Sequence, residues 1–196
     1  MRLQAYLVEG TKYNKLSLSE AIDEIHLGCR PFLKEFGKVR LFRGLMTPKL
    51  IPDVDQALHV VPRTDRRPRD MDPKFFNAFN KIFKEMFGWP ARKGVFATKM
   101  GFWTMRDCVF FPVGRYKYVY APEVVDLYTW QTTFKNRFGR GELSDEAMSE
   151  LRKWIKEKNY KSTGLVSASK NTEAMFNCIS YYLINGYNRE VIEELI

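Results

Sequence analysis

Apolar residues recur at helical spacing in several segments of the chain. Residues 17–36 open on Ser17-Leu18-Ser19-Glu20, which has the form of a capping box, and Pro31 is expected to kink or end this helix. Further helices are predicted at residues 122–136 and 144–158 and after Asn188. The clearest helix starts after Asp72-Pro73 and ends at Gly88, with an apolar stripe formed by Phe75, Phe79, Ile82, Phe83 and Met86.

Runs of apolar, aromatic and β-branched residues predict the strands. The run at residues 173–184 is apolar on both faces and predicts one long central strand. Residues 46–70 are polar and interrupted by prolines, which predicts a long ordered loop of the kind that often carries function. Helices and strands do not alternate regularly, so we predict an α+β fold in a single domain over residues 1–196. The other predicted strands are residues 38–45, 94–98, 108–113 and 115–120.

Composition adds a basic charge balance to this picture. The chain of 196 residues has 32 Lys and Arg against 23 Asp and Glu, a net charge of +9. That excess favours a polyanionic partner such as DNA or RNA, and it is equally typical of a basic protein that its charge keeps in solution. The charge therefore leaves both interpretations open.

The cysteines and histidines restrict the chemistry and the cellular compartment that the sequence predicts. Cys29, Cys108 and Cys178 lack metal-ligand spacing and are expected to be buried free thiols in a reducing compartment. His26 and His59 are the two histidines, too few for a histidine-rich zinc site or triad, and we expect no metal. The sequence has neither an apolar run of about 18 residues nor a signal-peptide pattern, which predicts a soluble cytoplasmic protein.

Three positions in predicted strands carry chemistry that an apolar strand does not need. Arg43 lies inside an apolar strand, where its planar fork suits a diphosphate or a ribose hydroxyl, although a solvent-facing arginine is the commoner case. Glu173 precedes an apolar run, and a carboxylate there suits stabilisation of an oxocarbenium-like centre, although a solvated glutamate is equally ordinary. Thr98 ends a short strand and has a hydroxyl that can orient a carboxylate, or is simply a β-branched strand residue.

One segment concentrates basic residues, and one predicted strand concentrates tyrosines. Residues 63–70 hold four arginines that, with Arg92 and Lys93, suit a phosphate-binding patch, while Asp65 and Asp70 equally suit internal ion pairs. Three tyrosines share one strand face that either stacks on nucleic-acid bases or packs in the core. They are Tyr116, Tyr118 and Tyr120.

In chain order, the three strand positions resemble the Arg-Ser-Glu pattern of mono-ADP-ribosyltransferases. Phe42-Arg43-Gly44 matches the first motif, Phe96-Ala97-Thr98 stands at the second, and Glu173 stands at the third. The run Glu173-Ala174-Met175-Phe176 is similar to the sequence after the catalytic glutamate in phage-encoded members. A wider likeness to small phage proteins covers most of the chain.

The resemblance implies a fold, a cofactor and residue roles. The implied fold is a split sandwich of two facing β-sheets with flanking helices, and NAD is the substrate bound in the cleft between the sheets. Arg43 would hold the NAD phosphates or a ribose beside Gly44 and Phe96, with Arg66 and Arg67 as additional cofactor-binding residues. Thr98 would position Glu173, and Glu173 would bind the ribose 2′-hydroxyl and stabilise the oxocarbenium ion as nicotinamide leaves.

In this family, the residue two positions before the catalytic glutamate helps to select the acceptor. Asn171 stands where the family commonly has Glu or Gln, and its amide resembles the Gln-x-Glu subgroup more than the arginine-modifying subgroup. A different side chain or a nucleic-acid base therefore gains weight as acceptor, within a host macromolecule if the protein acts in the cytoplasm of a phage host. The alternatives are a non-catalytic nucleic-acid-binding protein that uses the tyrosine face and the arginines Arg63, Arg66, Arg67 and Arg69, or an inactive relative that inhibits a host partner.

Overall fold

The computed structural model describes most of the chain and contains α-helices and β-strands. The described residues are 12–37, 39–45, 50–64, 71–99, 107–124, 131–132, 134, 143–168 and 172–196. Their helices are α1 (Leu18–Gly28), α2 (Arg30–Phe36), α3 (Pro73–Phe87), α4 (Asp145–Glu157) and α5 (Arg189–Leu195). Their strands are β1 (Lys12–Ser17), β2 (Phe42–Gly44), β3 (Gln56–Val61), β4 (Val95–Thr98), β5 (Asp107–Pro112), β6 (Lys117–Tyr120), β7 (Glu173–Asn177) and β8 (Tyr181–Asn185). The predicted α+β class is confirmed.

The strands form one antiparallel sheet in the order β1-β3-β8-β5-β2-β4-β7-β6. This sheet is strongly bent. Phe110 on β5 and Phe176 on β7 have two strands between them, a separation of about 14 Å in a flat sheet. Their ring centroids are nevertheless 5.2 Å apart, so β5 and β7 face each other across an apolar interior.

Helices α1 and α2 pack on this interior. Ser17 and Glu20 form the predicted capping box, which starts α1, and the helix stops at Cys29 before Pro31 enters the first turn of α2. Phe32 of α2 packs edge-on against Phe110 at 6.5 Å. The predicted interruption of the helical segment by proline is therefore confirmed.

A second apolar cluster lies between the sheet and helices α3 and α4. Asp72 caps α3 through a hydrogen bond from the backbone N–H of Lys74, and Gly88 ends it in the left-handed conformation, as the sequence predicts. Phe79 packs edge-on against Trp154 of α4 at 6.3 Å. The sheet contributes three residues to this cluster: Phe96, Val119 and Met175.

Two predictions of local structure are wrong. Residues 56–61, placed in a long loop, form β3 between β1 and β8, so a half-buried strand is hidden in a polar, proline-rich segment. The run at residues 173–184 is two strands, because Cys178, Ile179 and Ser180 break it. Strand β7 pairs with β4 and β6, whereas β8 pairs with β3 and β5.

Smaller differences concern a strand, a helix and a side chain. Strand β1 was not predicted, because its residues alternate weakly and are mostly exposed. Most of the predicted helix at residues 122–136 lies outside the described residues. Met86, assigned to the apolar stripe of α3, is 37% exposed. No helix in the described part of the chain is long and apolar enough to cross a membrane.

Candidate functional site

Arg43, Thr98 and Glu173 lie on three successive strands of the sheet. They belong to β2, β4 and β7, and Thr98 is directly opposite both Phe42 and Glu173 in the strand register. Because residues directly opposite each other in an antiparallel sheet share a face, Thr98 and Glu173 are neighbours on one face. The side chain of Arg43, one residue beyond Phe42, starts from the other face.

Arg43 is a buried cation with one hydrogen bond to the backbone. It is 3% exposed, its Nη1 donates to the carbonyl oxygen of Phe96 at 2.8 Å, and its guanidinium lies 5.6 Å from the ring centroid of Tyr181. Its Nε has no hydrogen-bond partner in the described structure. No carboxylate of the described residues lies within ion-pair distance of it. A buried cation without a counter-charge is a natural binding group for an anion.

Glu173 has a buried cation beside it. The Nη1 atom of Arg92 lies 3.6 Å from Oε1 of Glu173, and the two side chains are 8% and 11% exposed. The sequence grouped Arg92 with Lys93 in a phosphate-binding patch, and nothing in it connects Arg92 with Glu173. The cation beside the candidate carboxylate is therefore a residue for which the sequence predicts a different role, phosphate binding.

The surroundings of Arg92 hold its guanidinium in one place. The group lies over the ring of Phe96 at 4.5 Å, and its Nη1 is 3.9 Å from the sulfur of Met175. The hydroxyl of Tyr160 is buried, and burial raises the pKa of this phenol, with a smaller lowering effect from Arg92 and a raising effect from Glu173. Tyr160 is therefore a neutral residue close to the ion pair.

The turn between α3 and β4 places Arg92 on the face of the sheet that carries Glu173. After Gly88 ends α3, residues Ala91–Lys93 form a single 3₁₀ turn, which Gly94 ends before β4 begins. Gly94 packs against β7 so closely that a Cβ atom there would lie 2.5 Å from the carbonyl oxygen of Phe176. Only glycine fits this approach without a shift of the backbone, and the contact fixes the turn that carries Arg92.

Lys99 connects the end of β4 with the segment that precedes Glu173. Its Nζ donates to the carbonyl oxygens of Val166 and Ala168 at 2.7 and 2.6 Å, and its backbone N–H donates to that of Thr172 at 3.4 Å. Partial burial lowers the pKa of Lys99. Lys99, which follows Thr98 in the chain, therefore holds Val166 and Ala168, two residues that precede β7.

The remaining predicted site residues have mixed positions. Phe96 is 8% exposed and packs in the second apolar cluster, where Arg92 lies against its ring. Gly44 has room for a side chain, since a Cβ there would be 3.7 Å from the nearest atom, Oδ1 of Asp107. Three predicted site residues lie outside the described residues: Arg66, Arg67 and Asn171.

The tyrosine face of β6 is part of the core. Tyr118 and Tyr120 are 4% and 3% exposed, so their rings cannot stack on bases. The hydroxyls of Tyr116 and Tyr118 donate to the two carboxylate oxygens of Glu35 at 2.5 and 2.7 Å. Of the two interpretations that the sequence left open for this face, the core is the one observed.

No protein-family model matches the chain, and neither a curated protein nor a solved structure matches it. Its chemistry is therefore inferred from the site. The described residues combine a nearly buried carboxylate, a hydroxyl on the neighbouring strand and two buried guanidinium groups. Such a set suits an anionic ligand on which positive charge develops during reaction.

Proposed function

We propose that the protein is an NAD-dependent mono-ADP-ribosyltransferase. The observation that carries the proposal is the pairing of Thr98 with Glu173 on neighbouring strands, with Arg43 on the next strand. Strand neighbours need not be close in sequence, and the three motifs that resemble those of this family lie far apart along the chain. Their positions on the successive strands β2, β4 and β7 support a shared site.

The proposed reaction is the transfer of ADP-ribose from NAD to a nucleophile. Arg43 binds the diphosphate or the adjoining ribose, and Glu173 accepts a hydrogen bond from the ribose 2′-hydroxyl, with Thr98 as its neighbour. The bond between the ribose C1′ and the nicotinamide nitrogen breaks, and nicotinamide leaves with the electron pair. The carboxylate stabilises the resulting oxocarbenium ion, and the acceptor then forms a bond to C1′ and loses its proton.

The bend of the sheet supports the fold that we propose, which is a split sandwich. In this fold two halves of the sheet face each other, and the ligand binds in a cleft between them. The 5.2 Å contact between Phe110 and Phe176 is the contact expected of two facing layers. Arg43 and Glu173 start from opposite faces of the sheet. Since β4 ends at Thr98 and β7 begins at Glu173, the carboxylate lies at the same end of both strands, where we propose that the ligand binds.

The acceptor that we propose is a host macromolecule, either a nucleic acid or a protein associated with one. The net charge of +9 supports a polyanionic target. The alternative, a binding protein without catalysis, loses one of its two proposed surfaces because Tyr118 and Tyr120 are buried. It still has the arginines of residues 63–69.

The test is nicotinamide release from NAD by the purified protein, with and without DNA, RNA or cell extract. Glu173→Gln should abolish release while NAD still raises the melting temperature, and Arg43→Lys should weaken that rise because lysine lacks the bidentate fork. Glu85→Gln is the matched control, since this carboxylate is in an exposed pair with Arg152, 2.6 Å away. Full activity in Glu173→Gln would refute the assignment of the carboxylate. Salt-dependent nucleic-acid binding without NAD turnover would favour the non-catalytic alternative.

A further inference from the structure

We infer that Arg92 is the positioning residue of Glu173, the group that fixes the orientation of this carboxylate for reaction. The inference rests on the proposed function and deepens it. Arg92 carries the second buried guanidinium of the site, and its Nη1 faces Oε1 of Glu173 across 3.6 Å. That assignment differs from the role in a phosphate-binding patch that the sequence suggests for Arg92.

The first step is that Arg92 is held more firmly than a surface arginine. Its side chain is 8% exposed, and aromatic and sulfur contacts to Phe96 and Met175 lie on the same face of the sheet as Glu173. The close approach of Gly94 to β7 fixes the backbone turn that carries it. A cation fixed in this way provides a constant reference point for a glutamate, whose side chain has three rotatable bonds.

The second step is that Glu173 needs such a reference point. It is the first residue of β7 and so lies at the end of the strand, and Lys99 holds Val166 and Ala168, which precede Glu173 in the chain, through two hydrogen bonds. Proximity catalysis is sensitive to geometry, and a displacement of about 1 Å can reduce a rate about 100-fold. Thr98 is directly opposite Glu173 on β4, and Nη1 of Arg92 lies 3.6 Å from Oε1 of Glu173, so the carboxylate has a strand neighbour and a cation beside it.

Positioning of the Glu173 carboxylate and binding of NAD affect different kinetic constants. A residue that binds the dinucleotide equally in ground and transition states affects KM, whereas one that orients the carboxylate affects kcat. Arg43 has no carboxylate partner among the described residues and is the candidate for the first behaviour. Arg92 has such a partner and is the candidate for the second.

The kinetic experiment compares Arg92→Gln and Arg92→Lys with the wild type in nicotinamide release. Arg92→Gln should lower kcat by about 100-fold and leave KM for NAD within about threefold, and Arg92→Lys should restore part of the loss, because it keeps the charge. Arg152→Gln, which breaks the exposed pair with Glu85, is the control and should behave as the wild type. An unchanged kcat in Arg92→Gln, or a loss confined to KM, would overturn the inference.

A second measurement does not depend on turnover. Arg92→Gln should lower the melting temperature by clearly more in the wild-type background than in Glu173→Gln, because only in the former does the substitution remove a cation from beside a nearly buried carboxylate. Equal shifts in both backgrounds would overturn the ion pair and with it the inference; if Arg92→Gln does not fold, Arg92→Lys is compared in the same two backgrounds. Absence of NAD turnover by the wild type would instead refute the proposed function, whatever the melting temperatures.

Discussion

The two buried arginines of the site should respond in opposite ways to one substitution, replacement by methionine. Arg43 and Arg92 are 3% and 7% exposed, so both charges are largely removed from water. They differ in their partners, since Arg92 faces Glu173 at 3.6 Å and Arg43 donates to a backbone carbonyl oxygen at 2.8 Å. Methionine preserves much of the apolar contact of either side chain and removes the charge.

The expected effect of Arg92→Met is a clear loss of stability. Removing one partner of a buried ion pair costs about 3–5 kcal/mol, because the other charge stays buried without that partner. Glu173 is 11% exposed and so has some access to water. We therefore expect a loss of about 2–4 kcal/mol, which includes the contact between the guanidinium and the ring of Phe96.

The expected effect of Arg43→Met is small or even favourable. The variant loses a hydrogen bond from a charged donor, about 1.5–3 kcal/mol, and a cation–π contact with Tyr181 of about 0.5–1 kcal/mol. It also removes the cost of burying a cation that has no carboxylate partner in the described structure, a cost of several kcal/mol. These contributions nearly cancel, so we expect a change between about zero and 2 kcal/mol in favour of the variant.

Urea denaturation measures both effects in one assay. With a slope of about 2–3 kcal/mol per M, Arg92→Met should lower the midpoint by about 1 M, and Arg43→Met should leave it unchanged or raise it. Arg152→Met removes an exposed ion pair, which contributes little to stability because water screens it, and serves as the control. If Arg43→Met loses as much stability as Arg92→Met, the contacts of Arg43 outweigh its desolvation and the reasoning about an unpartnered cation is wrong.

Two further predictions concern the scaffold. Gly94→Ala should destabilise the protein by about 1–3 kcal/mol in thermal denaturation, because its Cβ atom would meet the carbonyl oxygen of Phe176 at 2.5 Å; a wild-type melting curve would contradict the close approach. Burial raises the pKa of all three cysteine thiols from 9.0 to about 12, so they should resist a disulfide reagent at pH 8 until denaturant is added. Since the unfolded thiols ionise near pH 9 and the folded ones do not, stability should fall as the pH rises above 9. At pH 10 the loss is about 1 kcal/mol per thiol, and a triple Cys→Ala variant should lack this contribution.

Elements with local signals at both ends were predictable from the sequence. The start of α3 is specified by Asp72 and Pro73 and its end by Gly88, all within a few residues of the helix. The capping box at Ser17 likewise fixed the start of α1. In each case the groups that satisfy the backbone are neighbours in sequence, so no knowledge of the tertiary fold is needed.

Elements that depend on distant partners were not predictable in the same way. Strand β3 lies in a polar segment and is a strand because β1 and β8 supply its hydrogen bonds. Strands β7 and β8 have similar apolar composition, and only their different partners separate them. The residues of the candidate site show the same difference. Arg43, Thr98 and Glu173 stand in short motifs and were predictable from the sequence. The proximity of Arg92 to Glu173 exists only in the folded chain and was not.

The charge balance of the site ties the two arginines to the proposed substrate. With Glu173 ionised, its charge and that of Arg92 cancel, and among these three described residues the charge of Arg43 remains. Oxidised NAD has two negative charges on its diphosphate and one positive charge on its pyridinium ring, which gives a net negative charge that matches. The reduced dinucleotide lacks the pyridinium charge, and the charge of Arg43 attracts both forms. The preference for the oxidised form therefore comes from the proposed reaction, since only the oxidised form has a glycosidic bond that breaks to release a neutral nicotinamide.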